Sequence, residues 1–148
     1  MTKRNITRIT LASTCVAIIS ASITFAFQKP GSASLLNGTS WQLVKYKDFD
    51  DVIHTPDEKS KYTIKFGKDG RVVTRVDCNR ASSTWKVNSK GELQFGSWSR
   101  TTTKCGTGSL HDVIVDEGQN VRNFEIKDGR LFLWEMSKGG YYELEPIK

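Results

Sequence analysis

The stretch Tyr62-Thr63-Ile64-Lys65-Phe66-Gly67-Lys68-Asp69-Gly70-Arg71-Val72-Val73-Thr74-Arg75-Val76 decides the fold. Apolar and polar residues alternate from Tyr62 to Phe66, the period of a strand with one face buried. A second β-branched run, Val72 to Val76, follows after Gly67-Lys68-Asp69-Gly70. Asp-Gly between two such runs is a hairpin signal, because glycine takes a positive φ without steric cost. The device recurs at Ser89-Lys90-Gly91, between Trp85-Lys86-Val87 and Leu93-Gln94-Phe95, and at Lys127-Asp128-Gly129, between Phe124-Glu125-Ile126 and Leu131-Phe132-Leu133-Trp134. A last hairpin is expected to turn at Lys138-Gly139-Gly140 into Tyr141-Tyr142-Glu143-Leu144.

Upstream, Ser40 to Tyr46 reads as a first strand with Trp41, Leu43 and Lys45 on one side and Gln42, Val44 and Tyr46 on the other. Lys47 to Ser60, rich in Asp, Lys and Pro, reads as a loop in which His54 is exposed. Leu110, Val113 and Ile114, with Val121 beyond them, stand at helical spacing, and Ser109 to Glu117 reads as one short helix capped by Ser109 and stopped by Gly118. The fold class expected is mainly β (α+β): a curved antiparallel sheet or partial barrel of sequential hairpins covering that helix. Trp41, Phe66, Trp85, Phe95, Leu131 and Leu133 are the candidate core.

At 148 residues, 37% hydrophobic and 26% charged, the chain has the size and composition of one soluble folded unit. Its net charge of +6 does not describe a nucleic-acid face. Lys3, Arg4, Arg8 and Lys29 lie in the first 33 residues, which hold no acid, and the remainder is near balance with acids interleaved among bases. A basic start, an uncharged stretch from Ile9 to Phe27 and small residues beyond it follow the order of a secretory signal, with cleavage after Ala26 or Ala33. A periplasmic or secreted domain from 34 to 148 is expected. The alternative is an inner-membrane anchor over residues 9–27, which are diluted by Thr10, Ser13, Thr14, Ser20, Ser22 and Thr24. Cys15 reads as a small apolar residue within the signal rather than a lipidation site, since the apolar run continues past it.

With the signal removed, Cys78 and Cys105 remain, and two cysteines in an oxidising compartment are expected to pair. The closed loop of about 28 residues contributes roughly 3.5 kcal/mol in the chain-entropy model. Neither a Cys-x-x-Cys nor a His-x-x-x-His spacing is present to recruit His54 and His111 to a metal, so no metal or cofactor is expected. A cysteine nucleophile would need a base such as His111 and is abolished by the pairing.

Several ordered segments carry a resemblance: Leu36-Asn37-Gly38-Thr39-Ser40-Trp41-Gln42-Leu43, the Tyr62–Phe66 run with its Asp69-Gly70 turn, Asp77-Cys78-Asn79-Arg80, Thr101-Thr102-Thr103-Lys104-Cys105, Ser109-Leu110 and Asp128-Gly129-Arg130-Leu131-Phe132-Leu133. Together they resemble the META-domain (HslJ-like) family of bacterial envelope and heat-shock-associated proteins, over residues 36 to 146. The resemblance implies the strand-rich fold with one helix, a role in envelope stress or antibiotic tolerance, and no established catalytic activity. This chain departs from the common pattern in three places: Asp77 stands where a glycine often precedes the cysteine, Ser83 where a glycine often follows it, and Thr102 in place of an arginine, with Arg100 nearby but out of register.

Three functional readings follow. The first is a non-enzymatic module, monomeric, that binds an envelope protein or small ligand through Asn79, Arg80, Trp98 and Arg100, which lie close to the cysteines. Against it stands the plainer reading that Asn79 satisfies turn backbone and Trp98 packs. The second is inhibition of a cell-wall enzyme such as lysozyme through the acidic loop of Asp48, Asp50, Asp51, Asp57 and Glu58. The third is a hydrolase, which only His54 or His111 could serve and for which no Gly-x-Ser-x-Gly elbow exists.

Overall fold

The computed structural model describes residues 32–136 and 139–148. Residues 1–31 of the expected signal (1–33), which include Cys15 and the alternative anchor 9–27, and Lys138 of the last turn lie outside the described residues. Among the described residues no helix is long and apolar enough to cross a membrane.

Among the described residues ten strands form one antiparallel sheet: β1 (Ser40–Lys47), β2 (Ile53–His54), β3 (Tyr62–Phe66), β4 (Arg71–Val76), β5 (Asn79–Val87), β6 (Leu93–Phe95), β7 (Ser99–Arg100), β8 (Val121–Lys127), β9 (Arg130–Glu135) and β10 (Tyr141–Pro146). Their order is β6-β5-β4-β3-β1-β10-β9-β8, with β2 on β1 and β7 on β5. The first strand thus pairs with both β3 and the last strand, and the outer strands β6 and β8 come into contact, so the sheet curls into a nearly closed barrel. The hairpins turn where the glycines stand. Lys127 pairs with Arg130 across Asp128-Gly129, whose φ values of 51° and 75° are both positive, as a two-residue turn matched to strand twist requires.

Inward positions of each strand build the core. Tyr62, Ile64 and Phe66 of β3 alternate with more exposed residues, and Phe66 meets Trp85 edge to face at 5.2 Å. Trp41, Phe66, Trp85, Leu131 and Leu133 are buried as expected, whereas Phe95 is only half-buried, because it borders an open volume described below.

Strand β1 departs from simple alternation. Its register with β10 shifts between Leu43 and Lys45, a bulge that places one extra residue on β1. Trp41, Leu43 and Tyr46 therefore share the inner side, and Tyr46, expected opposite Trp41, is fully buried and stacked on Tyr142 at 4.3 Å. Burial, with Glu135 and Tyr46 beside it, pushes the Tyr142 hydroxyl far above its ordinary pKa. The segment read as a plain loop contains β2 and a 3-10 turn at Lys59–Lys61. His54 is accordingly not an exposed loop residue: it pairs with Tyr46 across β1 and β2, and its Nε2 lies 2.7 Å from Asp48 Oδ2. That imidazole, followed by the amides of Val52 and Asp50, holds the Asp48 carboxyl below its ordinary pKa.

The helix α1 (His111–Glu117) starts two residues later than expected. Leu110 occupies the cap position, and Ser109 acts from one residue earlier by accepting the His111 N–H on its hydroxyl at 3.1 Å. Gly118 does not stop the chain in a left-handed turn. Its φ of −59° carries the helix into a 3-10 turn, Gly118–Asn120, after which Val121 opens β8 rather than extending the helix face.

On the outer face Glu143 is 8% exposed, with its Oε2 3.0 Å from Lys45 Nζ and its Oε1 accepting from Arg130. Burial raises this carboxyl's pKa, but Lys45 and Arg130 together outweigh burial and hold it below the ordinary value. A carboxylate depressed in the folded state stabilises the fold fully above its unfolded pKa, and that contribution is lost as pH falls through the folded value. Glu143→Gln is therefore expected to cost about 2 kcal/mol at pH 7, with the deficit shrinking on acidification from about pH 5 downward. Urea titrations of both proteins across that range check it; a deficit independent of pH would remove the ionic contribution.

Candidate functional site

The Val76–Asn79 cross-strand pair leaves Asp77-Cys78 as the two-residue turn between β4 and β5, so Cys78 stands in a turn and not within a strand. Asp77 has φ 54°, a left-handed conformation that side chains with a Cβ adopt at a cost. This explains why glycine is common at that position in the pattern the sequence resembles. Asp77→Gly is expected to stabilise the fold by about 0.5 kcal/mol, the relief exceeding the added unfolded-state entropy. A thermal midpoint lower than the native one would contradict it.

Cys78 and Cys105 are bonded, with Cα atoms 5.6 Å apart. Asn79, 3% exposed, sits directly behind the bridge. Its Nδ2 donates to the Thr103 carbonyl at 2.7 Å, while its Oδ1 accepts the Thr103 N–H at 2.8 Å and the Thr101 hydroxyl at 2.7 Å. One side chain thus reproduces the double hydrogen bond of a strand pair at a point where the ladder has ended. Just before it, Ala81 pairs with Arg100, and the Thr101 N–H donates to the Arg80 carbonyl at 3.0 Å. Backbone, amide and disulfide in succession fasten residues 99–105 along β5.

The four candidate binding residues divide between the two faces of this wall. Asn79 points inward and is consumed by Thr101 and Thr103, as the plainer reading has it. Arg80 points outward, beside its cross-strand neighbour Arg75, and both guanidinium groups converge on the Asp77 carbonyl, at 3.4 and 3.1 Å. Trp98 and Arg100 lie on the inner side. Trp98 is half-buried with its ring 5.2 Å from Phe95, whereas Arg100 is exposed and has neither a hydrogen bond nor an ion pair among the described residues.

Trp98 and Arg100 border a cavity of about 480 Å³ between α1 and the inner face of the sheet. Its floor is apolar, made by Ile64, Leu133 and Leu144, and Ile114 and Val115 of α1 lie across it. Sequence reading did not find this volume, although a signal existed. The inward positions Thr74 and Ala81 are small, and they stand where the other strands place Tyr, Phe or Leu. Small residues facing one another across β4 and β5 leave space that the helix spans without filling.

His54 and His111 are far from that cavity wall in role. His54 is bound to Asp48, and His111 Nδ1 lies 2.8 Å from Asp112 Oδ1. No hydrogen bond joins either imidazole to a serine, and no cluster of three metal-ligating side chains occurs, among the described residues.

No curated protein matches the sequence. Among solved structures, an NMR structure of a protein from Burkholderia xenovorans superposes with a TM-score of 0.65 at 16% identity, covering 95% of this chain and 99% of that one. A crystal structure of a DUF4847 family protein from Bacteroides vulgatus ATCC 8482 gives 0.55 at 14% identity, covering 76% and 94%. At such identities these likenesses concern the fold. A family model described as the META domain matches residues 33–144, the whole of the sheet but for the end of β10, and this chain belongs to the META domain family.

Proposed function

We propose that this META-domain protein is an exported, non-enzymatic module of the bacterial envelope that binds a small ligand inside its barrel and serves stress response or antibiotic tolerance. The observation that carries the reading is the cavity of about 480 Å³. The volume is partly open to solvent, and ligand sites fall between roughly 300 and 1,000 Å³. The disulfide and Asn79 support it by fixing the strand that presents Trp98 and Arg100 to that space. Export is supported by the basic, apolar, then small-residue order of the N-terminus and by the pairing of Cys78 with Cys105.

The acidic-loop reading has less support. Asp48 is engaged by His54, Asp51 by Lys47, and Asp57 with Glu58 by Lys61. Part of the charge that would attract a basic enzyme is thereby offset within the chain by Lys47 and Lys61.

Titration with the neutral apolar dye Nile red tests the cavity. Saturable 1:1 uptake is expected in the native protein and its loss in Ala81→Phe, whose ring occupies the inward space of β5. Uptake undiminished in a folded Ala81→Phe protein would place the dye elsewhere and refute the reading.

A further inference from the structure

The lining of the cavity is uneven in charge. Among the described residues no Asp or Glu lines it, and its two cationic residues are Arg75 and Arg100. The Arg75 guanidinium is turned outward, donating from Nε to the Asp77 carbonyl at 3.1 Å and from Nη1 to the Ser60 carbonyl at 3.4 Å. Arg100 differs. It is paired across the ladder with inward-facing Ala81, it is exposed, and nothing among the described residues accepts its donors. Two residues earlier on the same side, Trp98 presents its ring to the same space. An aromatic plate from the segment before β7 and a guanidinium from β7 thus border one apolar volume.

Such a site discriminates by chemistry. A ligand lying between Ile64, Leu133 and Ile114 gains by leaving water in proportion to its apolar area, and a charge carried to that depth would not be compensated. A charge kept at the edge meets a guanidinium whose planar fork matches a carboxylate and which forms no ion pair among the described residues; Asp112 borders a neighbouring recess with it. The volume is about three times that which holds one benzene molecule, enough for an extended apolar chain.

We infer that the cavity takes a single-chain amphiphile with an anionic headgroup, its apolar tail between α1 and the sheet and its carboxylate on Arg100. The inference rests on the ligand-binding reading above and specifies its ligand class. Arg100 is thereby the residue that selects charge, and Trp98 with Ile114 and Val115 selects an apolar body.

The test is isothermal titration of the oxidised protein, produced from the full-length chain, with three ligands below their micellar concentrations: dodecanoate, dodecanol and dodecyltrimethylammonium. Dodecanoate is expected to bind 1:1 about tenfold more tightly than dodecanol, the increment of one charge-assisted pair, and the ammonium compound most weakly. Arg100→Gln, a change at an exposed side chain, is expected to abolish the tenfold preference and leave dodecanol affinity unchanged. Arg75→Gln removes the same charge from an outward group and is expected to change neither. Equal binding of dodecanoate and dodecanol, or a preference that survives Arg100→Gln, overturns the anionic assignment while leaving the cavity as a ligand site. Failure of all three ligands to bind overturns both readings.

Discussion

Replacing Cys78 and Cys105 together by serine lowers the free energy of unfolding by about 3.5 kcal/mol and leaves a folded protein. The loop that the bridge closes spans a sequence separation of 27, and in the chain-entropy picture the loss comes from the greater freedom of the unfolded chain. Set against a total of roughly 5–15 kcal/mol for a domain, this is a large fraction, yet the ladder from β1 to β10 does not depend on the bridge. Reduction of the native protein provides an independent arm, and urea titrations of the reduced native and the double serine protein are expected to coincide. The urea m-value is expected to rise in both, because an uncrosslinked chain exposes more surface on unfolding. A loss below about 1 kcal/mol would mean that Asn79 and the β5–β7 pairing already hold the segment, leaving the bridge with little to add.

The residues that made the fold legible were those whose local chemistry agrees with the tertiary outcome. Asp128-Gly129 takes two positive φ values, and Tyr62 to Phe66 alternates as its burial does. The errors fall where one residue changes the frame. An extra residue near Val44 reverses the side on which Tyr46 lies, and no periodicity within β1 announces it, because Val44 and Tyr46 are both apolar enough for either face. Ser109 has the side chain of a cap, but Leu110 takes the cap position, its N–H donating to the Tyr62 hydroxyl at 3.0 Å, a tertiary contact that local pattern cannot contain. The candidate site was half legible for a related reason. Proximity to the cysteines collected Asn79, Arg80, Trp98 and Arg100, but only strand pairing reveals that Arg80 faces outward while Trp98 and Arg100 face a cavity. The cavity itself arises from small side chains on separate strands, and their common position exists only after β4 and β5 are aligned.

Asn79→Asp keeps the size of the side chain and is expected to cost about 3 kcal/mol at pH 7. The amide fits its surroundings in one orientation only, with Nδ2 on the Thr103 carbonyl and Oδ1 on the Thr103 N–H and the Thr101 hydroxyl. A carboxylate retains the two acceptor contacts, but it sets an anionic oxygen against a carbonyl oxygen where the native pair is 2.7 Å apart, in a position 3% exposed. Protonation relieves the clash by supplying an O–H donor, so the folded-state pKa of the new acid is raised above its unfolded value. A raised pKa means that stability is fully present below the unfolded pKa and is lost as pH rises through the folded one. The variant is therefore expected to approach the native protein below about pH 4 and to fall away from it toward neutrality. Asn79→Ala lacks this titration and is expected to lose about 2 kcal/mol at both ends, since it removes the partner of the Thr103 donor and acceptor without adding charge. Because residues 99–105 carry Arg100, both variants are also expected to bind the cavity ligand more weakly than Arg80→Ala, which alters only the outer face. Equal stability of the Asp variant and the native protein at pH 7, measured by thermal unfolding, would show that the amide's donor does not secure the segment. The wall of the cavity would then depend on the disulfide and the β5–β7 pairing alone.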